Sequence, residues 1–177
     1  MAKNSTRQIE ADEKRILKEL SINANKSVNE IAKTCKFSRQ KVWRIIKNLE
    51  KNNTIWGYVA IIDDEKQDKK GFILLIKRNN KPLENTVIEK IVNRDLEKKA
   101  SEGGVEIKNS YYTNGVFDWL VCFNAPSIKH AKGFVEEFNK LFYGFLSESF
   151  LLEEMFEAQK CGIVNPEIDK LRDFFSL

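Results

Sequence analysis

Apolar residues recur at helical spacing in three short segments at the start of the chain. Ile9, Ile16, Leu17 and Leu20 predict a helix over residues 9–22, with the acidic residues of "DEK" early in it. "NANK" interrupts the pattern. Ser27 and Glu30 in "SVNE" have capping-box spacing, so a second helix should start there with Val28, Ile31 and Ala32 facing inward. After "CKF", Ser38 is placed to cap a third helix, "SRQKVWRIIKNLEK". At about 100° per residue its Val42, Ile45, Ile46 and Leu49 share one face. Gln40, Arg44, Lys47 and Lys51 fall on the opposite face, with Arg39 and Trp43 flanking them. Asn53 stands where this helix must stop, and Asn tolerates the left-handed conformation that often ends a helix. "TIWGYVAIID" then has the aromatic and β-branched content of a strand.

Beyond the polar stretch "DDEKQDKKG" at residues 63–71 the period changes. "FILLI" at 72–76 predicts a buried strand, and Val87, Ile88, Ile91 and Val92 a helical face within residues 84–98. "VEIKNSYYT" alternates as a strand, "NG" at 114–115 signals a hairpin, and "VFDWLVCF" returns as the next strand. A helix carrying Ile128, Ala131, Val135, Phe138 and Phe142 follows, and "SFLLEEMFEA" closes the series as a strand. Asn165 and Pro166 predict the start of a last helix with the apolar stripe Ile168, Leu171, Phe174 and Phe175, expected to pack on its own domain. The fold class is therefore α+β: a winged helix-turn-helix followed by a ferredoxin-like β-α-β-β-α-β domain. The expected boundaries are 1–62 for the first domain, 63–70 for a linker, 71–160 for the second domain and 161–177 for the C-terminal helix.

Charge sharpens this division. The net charge is +4, but residues 1–60 hold 13 Lys and Arg against 6 Asp and Glu, and the rest of the chain 17 against 20. Positive charge is concentrated on the helix-turn-helix half, as a polyanion-binding domain requires. The sequence contains no apolar run of the roughly 20 residues that span a bilayer, so a soluble, cytoplasmic protein with no membrane partner is expected. Cys35, Cys122 and Cys161 are scattered without C-x-x-C spacing and His130 is the single histidine, so neither a disulfide framework nor a metal site is expected. No nucleotide-binding glycine loop or Ser/His/Asp group is present, and no cofactor is expected.

The third helix carries the candidate chemistry. In a helix-turn-helix the second member enters the major groove and reads bases from its N-terminal half. Arg39, Gln40 and Arg44 are placed for base edges, since Arg pairs bidentately with guanine and Gln with adenine. Lys47 and Lys51, further along, are placed for phosphates, and Ser38 stands at the helix start. Trp43 is read as packing beside the core, ahead of contact with a sugar or a thymine methyl.

Taken in order, "IEADEKRILKEL", "NKSVNEIAK", "FSRQKVWRIIKNLE" and "TIWGYVAIID", followed by "TNGVFDWLVCF", resemble the Lrp/AsnC (feast/famine) transcription regulators over residues 9–158. The resemblance implies double-stranded DNA as partner, a homodimer or higher homo-oligomer, and a small-molecule effector near the glycine–aspartate pair, here Gly115 and Asp118. Counting without gaps puts Glu148 and Phe150 at the remaining effector positions of the last strand, with Ser147 and Ser149 one residue earlier. A Glu148 turned into that pocket would favour a cationic ligand over a free amino acid. Two departures stand out: Lys36 where the family has Gly in the helix 2–helix 3 turn, and Ile45 where it has Arg. The resemblance also covers low-specificity architectural DNA-binding proteins, and the sirohaem decarboxylases among enzymes. "IKNSYYTNGVFDW" lacks the histidine and arginine those enzymes carry, so no enzyme is expected.

Overall fold

The computed structural model describes residues 6–176. The chain forms two compact units, the first ending at Ile61 and the second beginning at Ile62.

The first unit packs α1 (Thr6–Ile22), α2 (Val28–Cys35) and α3 (Arg39–Lys51) around Ile16, Ile31, Val42 and Leu49, all fully buried. Both capping-box bonds form: the Glu30 amide donates to Ser27 Oγ at 3.2 Å and the Ser27 amide to Glu30 Oε2 at 2.7 Å. Lys36 ends α2 at φ 55°, and the Phe37 amide donates back to the Ala32 carbonyl at 2.9 Å. Phe37 is then held between two cations, with the Arg15 guanidinium 4.8 Å and the Lys41 ammonium 4.0 Å from its ring centre. Arg15 also donates to the Cys35 carbonyl at 2.7 Å, satisfying an orphan acceptor at the end of α2. Lys41 pairs with Asp12 at 2.5 Å. Asp12 is only 2% exposed, and the hydrogen bond from Lys41 holds its carboxyl below the usual range against the opposing effect of burial.

The segment read as a strand after α3 is not one. Asn53 does adopt the left-handed conformation, at φ 58°, and the Thr54 and Ile55 amides donate to Leu49 at the helix end. From there to residue 63 the chain takes no part in a sheet, and Trp56 is 95% exposed. Strand composition describes a surface that fits a pleated sheet, and this segment pairs with no strand among the described residues.

In the second unit β1 (Lys70–Arg78), β2 (Glu106–Tyr112), β3 (Trp119–Ala125) and β4 (Leu146–Glu153) form an antiparallel sheet in the order β2-β3-β1-β4. Its core face carries Phe72, Leu74, Ile76, Val121 and Phe123, covered by α4 (Asn85–Val92), α5 (Asp95–Glu102) and α6 (Ile128–Leu141). Rings close this layer: Phe123 lies 4.7 Å from Phe134, and Trp119 5.1 Å from Phe138. The helix expected over 84–98 is two helices, broken where Arg94 turns left-handed at φ 58°. The last strand begins at Leu146 rather than Ser149, and its register is settled by pairing with β1. Ser149 and Leu151 stand opposite Ile76 and Leu74 on the core face; Glu148, Phe150 and Leu152 stand with Lys77, Leu75 and Ile73 on the other.

The C-terminal helix also differs from its expectation. Asn165 accepts from the Glu167 amide at 2.8 Å in a local turn, and a 3-10 turn at Ile168–Lys170 leads into α7 (Leu171–Phe175) only. A two-residue hairpin, β5 (Gln159–Lys160) with β6 (Ile163–Val164), precedes it. Phe175 stays 75% exposed, so the apolar stripe is not buried as a whole.

Two outcomes follow for stability. Lys36→Gly removes the left-handed strain of a side chain and should stabilise the first unit by about 1 kcal/mol, seen as a higher melting temperature. Lys41→Ala leaves the Asp12 carboxylate buried without its counter-ion and should cost about 3 kcal/mol, whereas Asp12→Asn costs less because the partly exposed Lys41 can turn to water. Since the Asp12 pKa is lowered, its contribution is complete above the unfolded value of about 3.9 and is lost as pH falls through the folded one. Melting of wild type and Asp12→Asn across that range should therefore converge in acid.

Candidate nucleic-acid interface

The N-terminus of α3 is built by Ser38, whose Oγ accepts the Lys41 amide at 3.2 Å. The serine proposed for DNA contact thus already has a structural task. Burial of Val42, Ile45 and Leu49 then fixes which side of the helix faces out. Arg39, Gln40, Arg44, Lys47 and Lys51 are all exposed on it. Arg39, Gln40, Arg44 and Lys51 have no hydrogen-bond or ion-pair partner among the described residues. Lys47 is bonded to Glu50 at 2.7 Å, which raises its pKa and keeps it protonated; the other Glu50 oxygen accepts from the Tyr58 hydroxyl at 3.2 Å.

Two details refine the sequence reading. Ile45, at the position where the resemblance calls for Arg, is a core residue, while its neighbour Arg44 points outward and is the cation available there. Lys41, within the same basic run, is withdrawn into the pair with Asp12. No motif announced that pair; its one signal was an acidic residue one turn before the buried Ile16.

Trp43 does not pack on the core. It is 57% exposed and lines an open groove of about 690 Å³, together with Val28 and Asn29 at the start of α2 and Arg39 and Gln40 of α3.

In the second unit, Gly115 and Asp118 line one cleft of about 430 Å³ with Lys77, Arg78 and Lys81. "NG" is not a two-residue hairpin turn. Residues 113–118 form a longer loop closed by the Thr113 amide donating to the Asp118 carbonyl at 2.9 Å, and Gly115 does not take a positive φ. The Asp118 Oδ2 accepts the Arg78 amide at 2.8 Å, tying the loop to the end of β1. Glu148 and Phe150 stand beside the cleft rather than in its lining. Glu148 pairs with Lys77 at 3.2 Å, which balances the charge it would bring, and Phe150 meets Phe117 edge-on with ring centres 5.8 Å apart. Lys77, Arg78 and Lys81 were not singled out from sequence, because only the pairing of β1 with β3 brings them to the glycine–aspartate loop.

Among the described residues no group of His, Cys, Asp and Glu is arranged to hold a metal ion, and no helix is long and apolar enough to cross a membrane. The three cysteines are free.

Residues 13–55 match the winged helix-turn-helix DNA-binding family. No curated protein matches the sequence. Among solved structures, the chain is similar to an AsnC family transcriptional regulator from Agrobacterium tumefaciens at 19% identity, covering 84% of this chain and 92% of that one with a TM-score of 0.61. It is similar to LrpC of B. subtilis at 18% identity, over 90% and 99% of the two chains, with a TM-score of 0.57. A third, a transcriptional regulator from Neisseria meningitidis solved as a complex with L-Met, is 15% identical over 87% and 94% with a TM-score of 0.65. The chain has the two-domain fold of the Lrp/AsnC transcription regulators, and its N-terminal unit is a winged helix-turn-helix of the DNA-binding kind.

Proposed function

We propose that the protein is a sequence-dependent DNA-binding transcription regulator that works as a homodimer or larger homo-oligomer. The observation that carries this reading is the outward face of α3, where four polar or cationic side chains stand exposed without partners among the described residues, on the helix that in this motif enters a major groove. Arg39, Gln40 and Arg44 read base edges, and Lys47 and Lys51 bind phosphates, Lys47 exchanging Glu50 for the nucleic acid.

Self-association is supported by the sheet face opposite the helices. Ile73, Leu75, Leu120, Phe150 and Leu152 form an apolar surface there, Phe150 and Leu152 close to half exposed, and a second copy of the same face is self-complementary. A dimer so formed would bring two α3 helices to successive major grooves about 34 Å apart. The cleft of Gly115 and Asp118 is the proposed effector site, with Lys77 balancing Glu148 at its edge. An effector there acts on assembly, and so on the spacing of the recognition helices, without touching DNA.

If a dimer neutralises about 6–8 phosphates, affinity should fall by roughly three to four decades between about 50 and 200 mM salt. The test is a titration of duplex DNA with wild type and the Arg44→Ala/Lys47→Ala variant at several salt concentrations. The variant should keep its melting temperature and oligomeric state, lose about a hundredfold in affinity, and show a salt slope shallower by about two per dimer. Unchanged binding by the variant would refute the assignment of α3 as the DNA-reading helix.

A further inference from the structure

Trp43 is the one large apolar side chain exposed on α3, and it lies outside the buried stripe of Val42, Ile45 and Leu49. Its indole N–H has no acceptor among the described residues, and no other ring packs on it. Helical geometry puts it about 40° from both Arg39 and Lys47, and about 60° from Gln40 at the centre of the outward face. Trp43 therefore belongs to the flank of the reading face, which meets the wall of a groove rather than its floor.

The same groove is lined by Val28 and Asn29 at the start of α2 and by Arg39 and Arg44 of α3. It thus combines a flat apolar ring carrying a single donor with flanking cations. That is the complement of a nucleic-acid strand seen from outside: an apolar sugar edge between anionic acceptors.

We infer that Trp43 docks one deoxyribose–phosphate strand at the wall of the major groove, its ring against the sugar and its Nε1–H donating to a phosphate oxygen. The inference rests on the DNA-binding reading and adds a contact that is apolar and sequence-independent, unlike those of Gln40 and Arg44. Because the indole is uncharged, it displaces no counterion. Its loss should lower affinity without changing the salt dependence, the reverse of losing a lysine.

The test uses the full chain with wild type, Trp43→Ala, Trp43→Phe and Lys47→Ala, on a mixed-sequence duplex long enough for two half-sites and on the same duplex with uracil replacing thymine. Trp43→Ala should melt as wild type does and bind about tenfold more weakly to both duplexes, as expected for one hydrogen bond to a charged acceptor with its apolar contact. Its plot of affinity against salt should run parallel to that of wild type, while that of Lys47→Ala is shallower. Trp43→Phe, which keeps a ring and loses the donor, should fall between. Wild-type affinity in Trp43→Ala would overturn the inference and leave the DNA-binding reading standing. A loss confined to the thymine duplex would overturn it in favour of a methyl-group contact. No binding of either duplex by wild type would overturn both.

Discussion

The ion pair of Asp12 and Lys41 ties α1 to the N-terminal half of α3, the helix whose buried Val42, Ile45 and Leu49 set which side faces out. Apolar burial alone is forgiving: Val42, Ile45, Ile46 and Leu49 make a broad stripe, and burial energy has little directional preference. A carboxylate 2% exposed is more demanding, because it needs hydrogen-bond donors, and Asp12 takes them from Lys41 at 2.5 Å and Gln8 at 3.0 Å. With Lys41 pinned to α1, and Phe37 held between Lys41 and Arg15, the N-terminal half of α3 has one orientation. In it Gln40, Arg44 and Lys47 point to solvent. A buried ion pair is weak evidence for net stability, since the cost of desolvating its charges offsets their attraction.

The second unit follows a different logic. One face of its sheet is closed by α4, α5 and α6, with six phenylalanine and tryptophan rings in a connected cluster. The other stays apolar yet open in its middle, with Leu75 and Phe150 side by side on neighbouring strands. A sheet with one finished face and one unfinished apolar face is suited to self-assembly. The exposed "IWGYVAII" segment after α3 also carries the residues of a strand while pairing with none among the described residues.

Much of this was legible in the residues. The three N-terminal helices, the capping box at Ser27, the Ser38 cap and the left-handed Asn53 all depend on contacts a few residues long, and all were read correctly. The register of β4 was not legible, because adjacent polar residues at 147–149 fit either face until β1 is paired beside them. The break at Arg94 was hidden for a similar reason: helical periodicity continues across it, and only tertiary packing demands the turn. For Trp43 packing beside the core was only slightly preferred to contact with a sugar or a thymine methyl, and α3 carries its apolar stripe elsewhere. The cleft at Gly115 was found by resemblance, while its cations came to light only once β1 and β3 were paired.

Whether α3 reads sequence is decided by footprinting the protein on DNA from upstream of its own gene, with unrelated DNA of equal length as competitor. A sequence-reading α3 gives discrete protected blocks spaced by whole helical turns, about 10–10.5 base pairs or multiples of that, which survive the competitor. Uniform protection that the competitor removes, or no protection at low salt, would contradict it.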